Sequence, residues 1–113
     1  MICEPWQVVV VPFPFTDRAT TKRRPALVLS AKAFNEQGQS VLAMITSASH
    51  RPWLGDTLLS DPASAGLKTP SLVRLKMFTL DNRFISGRIG VLAARDQAAV
   101  AAEFHNFMPV RPE

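Results

Sequence analysis

Four consecutive valines, Val8 to Val11, limit what this chain can fold into. An apolar run of that length without alternation reads as a β-strand buried on both faces. Ala26 to Leu29 and Val41 to Ile45 repeat the pattern, and Asp56 to Ser60 and Leu72 to Leu75 are shorter strand candidates. Met77 to Leu80 extends the last of these. Phe84 to Leu92 is a further strand, broken by Gly87 and Gly90, which predicts a bulge or sharp bend. Turn residues separate the runs at Asn35 to Gln39 and at Asp81-Asn82-Arg83; Asp61 to Gly66 reads as a helical turn ended by glycine. Only Arg95 to Met108 has helical spacing, with Val100, Phe104, Phe107 and Met108 on one face, Asp96 at its N-terminal end and Pro109 as its stop. Short strands followed by one terminal helix predict a mainly β fold, a small and strongly bent sheet or barrel. The last residues, Val110 to Glu113, are expected to fray.

A chain of 113 residues is expected to form one domain, 1–113, with a core that needs no disulfide. Its apolar fraction of 47% and charged fraction of 19% are those of a globular protein. No apolar run approaches the roughly 20 residues that span a bilayer, so no membrane association is expected. The start lacks a basic region followed by a long apolar one, so no signal peptide is expected. A single cysteine, Cys3, excludes an internal disulfide and a cysteine-based zinc cage. Together these features favour a cytoplasmic protein.

Thirteen Lys and Arg stand against nine Asp and Glu, a formal charge of +4 with a pI near 10.0, which suits an anionic partner such as nucleic acid, or an acidic protein. Three of the cations are consecutive, Lys22-Arg23-Arg24, at the base of a segment that starts with Val8 to Val11. Between them lie a stiff turn, Pro12-Phe13-Pro14-Phe15, and a polar loop from Thr16 to Thr21. Such a loop suits a phosphate backbone. Pro25 biases Arg24 to extended backbone, giving its side chain a defined exit direction. Two histidines far apart, without Cys, Asp or Glu at ligand spacing, argue against a metal site, and no cofactor is expected. Cys3, near a frayed terminus, has no visible partner base.

The stretch Val8 to Asp17 resembles the first strand and loop of the MazF/PemK toxin family. Lys22 to Ser30 resembles the basic loop end and second strand of that family, and Met44-Ile45-Thr46-Ser47 its third strand. Gly66 to Arg74, followed by Thr79-Leu80-Asp81, resembles the later core strands, and Gly90 with the following helix fits the C-terminal end. The resemblance implies an SH3-like barrel that forms a homodimer. It implies metal-independent cleavage of single-stranded RNA. It also implies a cognate antitoxin, one segment of which covers the RNA groove, and DNA binding together with that antitoxin. Two positions depart from the family pattern. Where relatives commonly carry Gly-Asp before the first strand, this chain has Trp6-Gln7. Where some carry an acid–base aspartate two residues after the arginine matching Arg74, it has Lys76. A mechanism resting on that aspartate does not transfer; the one resting on the loop arginine and third-strand threonine does, onto Arg24 and Thr46.

RNA supplies its own nucleophile, the 2′-OH, so the protein must stabilise charge on the phosphoryl oxygens and manage protons. Arg24, with two parallel donors, is the expected phosphate contact. Thr46 can donate to a phosphoryl oxygen from a strand end, with Ser47 in support. A hydroxyl of ordinary pKa cannot be the general base. Asp17, alternatively a turn former, and His50, in the segment after the third strand, are the candidates for acid–base work. Lys22, Arg23 and Arg74 are expected to add RNA affinity. Trp53 either stacks on an unpaired base or covers the barrel end. Phe13 and Phe15 are expected in the core or a dimer interface, and His105 at the surface or an interface. The same barrel also admits a non-catalytic binding module, including a poison of a protein target such as DNA gyrase, as in the similar CcdB fold.

Overall fold

The structure, a computed structural model, describes residues 1–13 and 22–112. The elements are β1 (Gln7–Phe13), β2 (Lys22–Val28), α1 (Lys32–Asn35), β3 (Gln39–Ser47), β4 (Thr57–Leu58), β5 (Ser71–Asp81), a 3₁₀ turn (Asn82–Phe84), β6 (Gly87–Val91) and α2 (Ala94–Phe107). All six strands form one antiparallel sheet in the order β4-β5-β3-β2-β1-β6, curled into a half-barrel with α2 at the C-terminal end. The expected fold class holds. Among the described residues no helix is long and apolar enough to cross a membrane.

Register explains why the apolar runs do not alternate. Val8 pairs with Leu27 and Val9 with Ala26, while Ala26 pairs with Met44 and Leu27 with Ala43. Side chains alternate across a sheet, so each strand feeds two clusters. Val8, Leu27, Ala43, Ile45 and Val73 lie on one face, joined there by Leu92 and by Val100 of α2. Val9, Val11, Ala26, Val28 and Leu42 lie on the other, with Leu80 and Ile85. The curled sheet thus buries both faces of its central strands.

Two bulges bend it. Register shifts between Ala43, opposite Met77, and Met44, opposite Arg74, so β5 carries extra residues there. A second shift falls between Val8, opposite Gly90, and Val9, opposite Arg88. The bulge expected from the glycines therefore falls at Ile89, beside Gly90, where the turn over 62–66 closes against β6: Val91 N donates to Ser64 O at 3.1 Å. A Cβ on Gly90 would lie 2.3 Å from the Ala65 carbonyl carbon.

Several expectations change. Lys22 to Arg24 do not end a loop but open β2, with Arg24 opposite Val11 and Lys22 opposite Phe13. Strand alternation therefore splits the basic cluster, placing Arg23 on the opposite face from its neighbours. The strand expected over Asp56 to Ser60 shrinks to Thr57–Leu58, because Asp56 is drawn into an ion pair and Ser60 into a contact with α2. Phe84 belongs to the 3₁₀ turn, and β6 starts only at Gly87. Asp96 is buried and accepts from Ser60 N, Ser60 Oγ and Asp61 N at 2.8–3.0 Å, tying α2 to the β4 segment rather than capping its own helix. Cys3 is not on a frayed end: its side chain is fully buried in the second cluster and its carbonyl accepts from Asn35 Nδ2 at 2.8 Å. Burial raises the pKa of its thiol, against the opposing pull of Arg88 and the N-terminus.

Trp6, standing where relatives of the resembled family commonly have glycine, takes φ 73°, a left-handed conformation that costs a non-glycine residue about 1–2 kcal/mol. Its amide and carbonyl bridge Val28 O (2.8 Å) and Leu92 N (2.9 Å), and its side chain packs on the first cluster. Those contacts over-determine the strained backbone.

Candidate active-site groove

Beyond the edge of the second cluster, the same face of the sheet opens into a groove of about 250 Å³ lined by Phe13, Arg24, Met44, Thr46, His50, Trp53, Arg74 and Lys76. Register dictates most of this list. Arg24 and Phe13 share the face of Val11; Met44 and Thr46 share that of Leu42; Arg74 lies opposite Met44. The core side chains of this face are succeeded by cations and a hydroxyl as the strands leave the interior. The charged side chains of the lining, Arg24, Arg74 and Lys76, are all cationic.

Arg24 is half-buried, and its guanidinium carbon sits 5.9 Å from the centre of the Phe13 ring. Among the described residues its Nε is a buried side-chain nitrogen without a hydrogen-bond partner. Leaving such a donor unsatisfied costs on the order of 1–3 kcal/mol, so the site is poised for an acceptor.

Thr46 Oγ1 lies 2.8 Å from His50 Nδ1. The same Nδ1 is 3.2 Å from Ser47 O, an atom that can only accept. In the tautomer with the proton on Nδ1 both contacts are satisfied, Nε2 keeps its lone pair, and the Thr46 hydroxyl proton is free to donate elsewhere. Ser47, on the opposite face of β3, makes its side-chain bonds within the turn, to Ser49 Oγ at 2.9 Å and from Ser49 N at 3.3 Å. It shapes the segment carrying His50 rather than lining the groove.

Arg74 is buried. Its Nε donates to Asp56 Oδ1 at 3.1 Å, and its Nη2 donates to Asp56 Oδ2 at 2.9 Å and to Arg51 O at 2.7 Å. Burial alone would raise the Asp56 pKa, but hydrogen bonds from Arg74 and from the Trp53 amide, with the attraction of Arg74, hold it below the ordinary carboxylate value. The Asp56 hydrogen bond correspondingly raises the Arg74 pKa.

Of the residues singled out in the sequence, the groove unites Arg24, Thr46, His50, Trp53 and Arg74. Lys22 is exposed on the same face of β2, opposite Phe13. Arg23 is not brought there: it bonds Ser86 Oγ in a hollow with Pro12, Arg83 and Phe84. His105 is exposed and makes an edge contact with Phe104. Asp17 and Phe15 lie outside the described residues. Phe13, expected in the core or at an interface, lines the groove instead, as its two-residue step from Val11 would have indicated. The sequence reading missed Asp56 as a site residue; the Trp-Leu-Gly-Asp spacing, in which a carboxylate reaches back three residues to a backbone amide, was the available signal. Lys76 was read only as a departure, yet its Nζ lies 5.9 Å from the Trp53 ring. Among the described residues no three His, Cys, Asp or Glu converge as metal ligands.

The profile of a family described as PemK-like, MazF-like toxin of type II toxin–antitoxin system matches residues 4–108. The chain belongs to this toxin family. Its fold is that of solved MazF toxins. A MazE–MazF structure from Deinococcus radiodurans superposes with a TM-score of 0.77 at 21% identity, covering 98% of this chain and 100% of the other. Toxin MazF-mt6 of Mycobacterium tuberculosis gives 0.72 at 21% identity, covering 94% and 99%. A mycobacterial endoribonuclease in complex with its cognate antitoxin gives 0.74 at 15% identity, covering 98% and 99%. The sequence has no significant match among curated proteins.

Proposed function

We propose that this toxin is an endoribonuclease that cuts single-stranded RNA in the groove bearing Arg24 and Thr46. The observation that carries the reading is the buried Arg24 Nε, without a hydrogen-bond partner among the described residues, in the groove that a threonine hydroxyl able to donate also lines. An anionic phosphoryl group meets both needs. The RNA 2′-oxygen attacks phosphorus and the bond to the 5′-oxygen breaks. His50 Nε2 takes the 2′-hydroxyl proton, and the 5′-oxygen leaves with a proton drawn from water. Arg24 and Thr46 hold the phosphoryl oxygens as charge builds on them. Lys22 adds backbone affinity and Trp53 meets a base. A cognate antitoxin is the protein partner, and one of its segments covers this groove; solved structures of similar fold hold toxin and antitoxin together, which supports the pairing.

Cleavage of mixed-sequence RNA by the purified protein is expected to persist in EDTA and to leave 2′,3′-cyclic phosphate and 5′-hydroxyl ends, since fixed cations occupy the place where charge develops. Mass analysis of the fragments checks it. Activity lost to chelator and restored by magnesium contradicts it. Intact RNA with binding retained points to the binding module instead.

The toxin is also expected to be a homodimer. At the C-terminal end of α2, Phe107 and the following Met108 are each 38% exposed, and Phe34 and Leu54 are exposed elsewhere, apolar surface that a second copy can cover. Light scattering at micromolar concentration reads the mass directly, and a species of one 12.4 kDa chain alone rejects the dimer.

A further inference from the structure

Trp53 is 49% exposed, an indole held at the rim of a cationic groove by more contacts than a surface tryptophan requires. Its amide donates to Asp56 Oδ2 at 2.8 Å, and its carbonyl accepts from Asp56 N at 3.2 Å. Gly55, at φ +90°, lets the chain turn tightly between them. The Arg74 guanidinium carbon lies 4.8 Å from the centre of the indole ring. Arg74 projects from β5 and is locked by its two bonds to Asp56 and one to Arg51 O. The loop backbone and the ring are therefore tied to one buried ion pair, itself fixed on a strand.

From this geometry we infer that Asp56 and Arg74 are positioning residues for RNA binding, and that they act by presenting Trp53 as a platform on which one unpaired nucleobase of the substrate stacks. The inference rests on the groove being an RNA site. A stacking platform needs one part of its ring supported and another open, and little freedom to lose on binding. Trp53 has these properties. Arg74 has committed Nε and Nη2 to Asp56 and Arg51, and its guanidinium carbon supports the indole at 4.8 Å. Asp56 does not line the groove and works through the turn and Arg74.

The test is equilibrium binding of a labelled 2′-O-methyl RNA oligonucleotide of mixed sequence, which lacks the nucleophilic hydroxyl and cannot be cut. Trp53→Ala is expected to weaken binding by about 5- to 150-fold, the loss of one stacked base, and Trp53→Phe to retain most of the affinity. Asp56→Asn weakens binding in the parent but adds nothing in a Trp53→Ala background, because its effect passes through that ring. Thermal melts establish that each variant is folded. Should Asp56→Asn not fold, Asp56→Asn with Arg74→Gln removes both charges together and serves in its place. Trp53→Ala binding like the parent overturns the inference, as does an Asp56→Asn loss that is the same with and without Trp53. If the parent cleaves RNA and Trp53→Ala binds unchanged, this inference alone fails; if the parent neither binds nor cleaves RNA, the proposed function fails with it.

Discussion

Arg24→Ala is expected to lower single-turnover RNA cleavage by about 100-fold or more, as loss of a donor that stabilises transition-state charge does. Arg24 faces the groove from β2, and its buried Nε is without a partner among the described residues. Among the described residues no hydrogen bond or ion pair depends on its side chain, so folding is expected to survive. Arg24→Lys should recover only part of the rate, because an ammonium cannot reproduce a planar fork of donors. Lys22→Ala separates charge from chemistry. Lys22 is exposed on the same strand face, so its loss should weaken RNA binding and flatten the salt dependence while leaving the rate at saturating RNA nearly unchanged. Cleavage of a short RNA at several salt concentrations, with thermal melts as the folding control, distinguishes the two. A folded Arg24→Ala protein that cleaves at the parent rate removes Arg24 from the mechanism.

The largest stability loss is expected at Gly66. Its φ of +76° disfavours any side chain, and a Cβ there would lie 2.0 Å from Ile89 O, a backbone atom that cannot swing aside. Overpacking and left-handed strain together put Gly66→Ala at about 2–4 kcal/mol, a fall in Tm on the order of 10–25 °C for a domain of this size. Gly90→Ala, which meets the Ala65 backbone from the other side but has no positive φ, should cost about 1–3 kcal/mol. Gly38→Ala has positive φ but open space around it and should cost only about 1 kcal/mol. Gly87→Ala has neither constraint and serves as the control. Thermal melts of the four variants give the order directly. A Gly66→Ala protein that melts with the parent would show that the 62–66 turn is not held against β6 as described.

Much of the fold was readable because continuous apolar runs have one economical solution, a strand buried on both faces. Val8 to Val11, Ala26 to Val28 and Leu42 to Ile45 all fill that role. Elements that depend on a distant partner were read less well. Asp96 is the acidic residue of the first turn of α2, as its position suggested, yet its carboxylate is claimed by Ser60 and Asp61 from 35 or more residues away rather than by its own helix end. Asp56 looked like the start of a strand, yet Arg74 removes it from pairing.

The site divides in the same way. The family resemblance singled out Arg24 and Thr46, and residue type added His50 and Trp53 as candidates, because each chemistry admits few side chains. Sequence alone also required a β-rich chain with a terminal helix. Which of these side chains meet was decided by tertiary structure. A one-residue step along β2 sends Arg23 to Ser86 and Arg24 to the groove, and a bulge in β5 sets Arg74 opposite Met44. Such facts depend on strand register, and register is set by pairing between segments far apart in the chain.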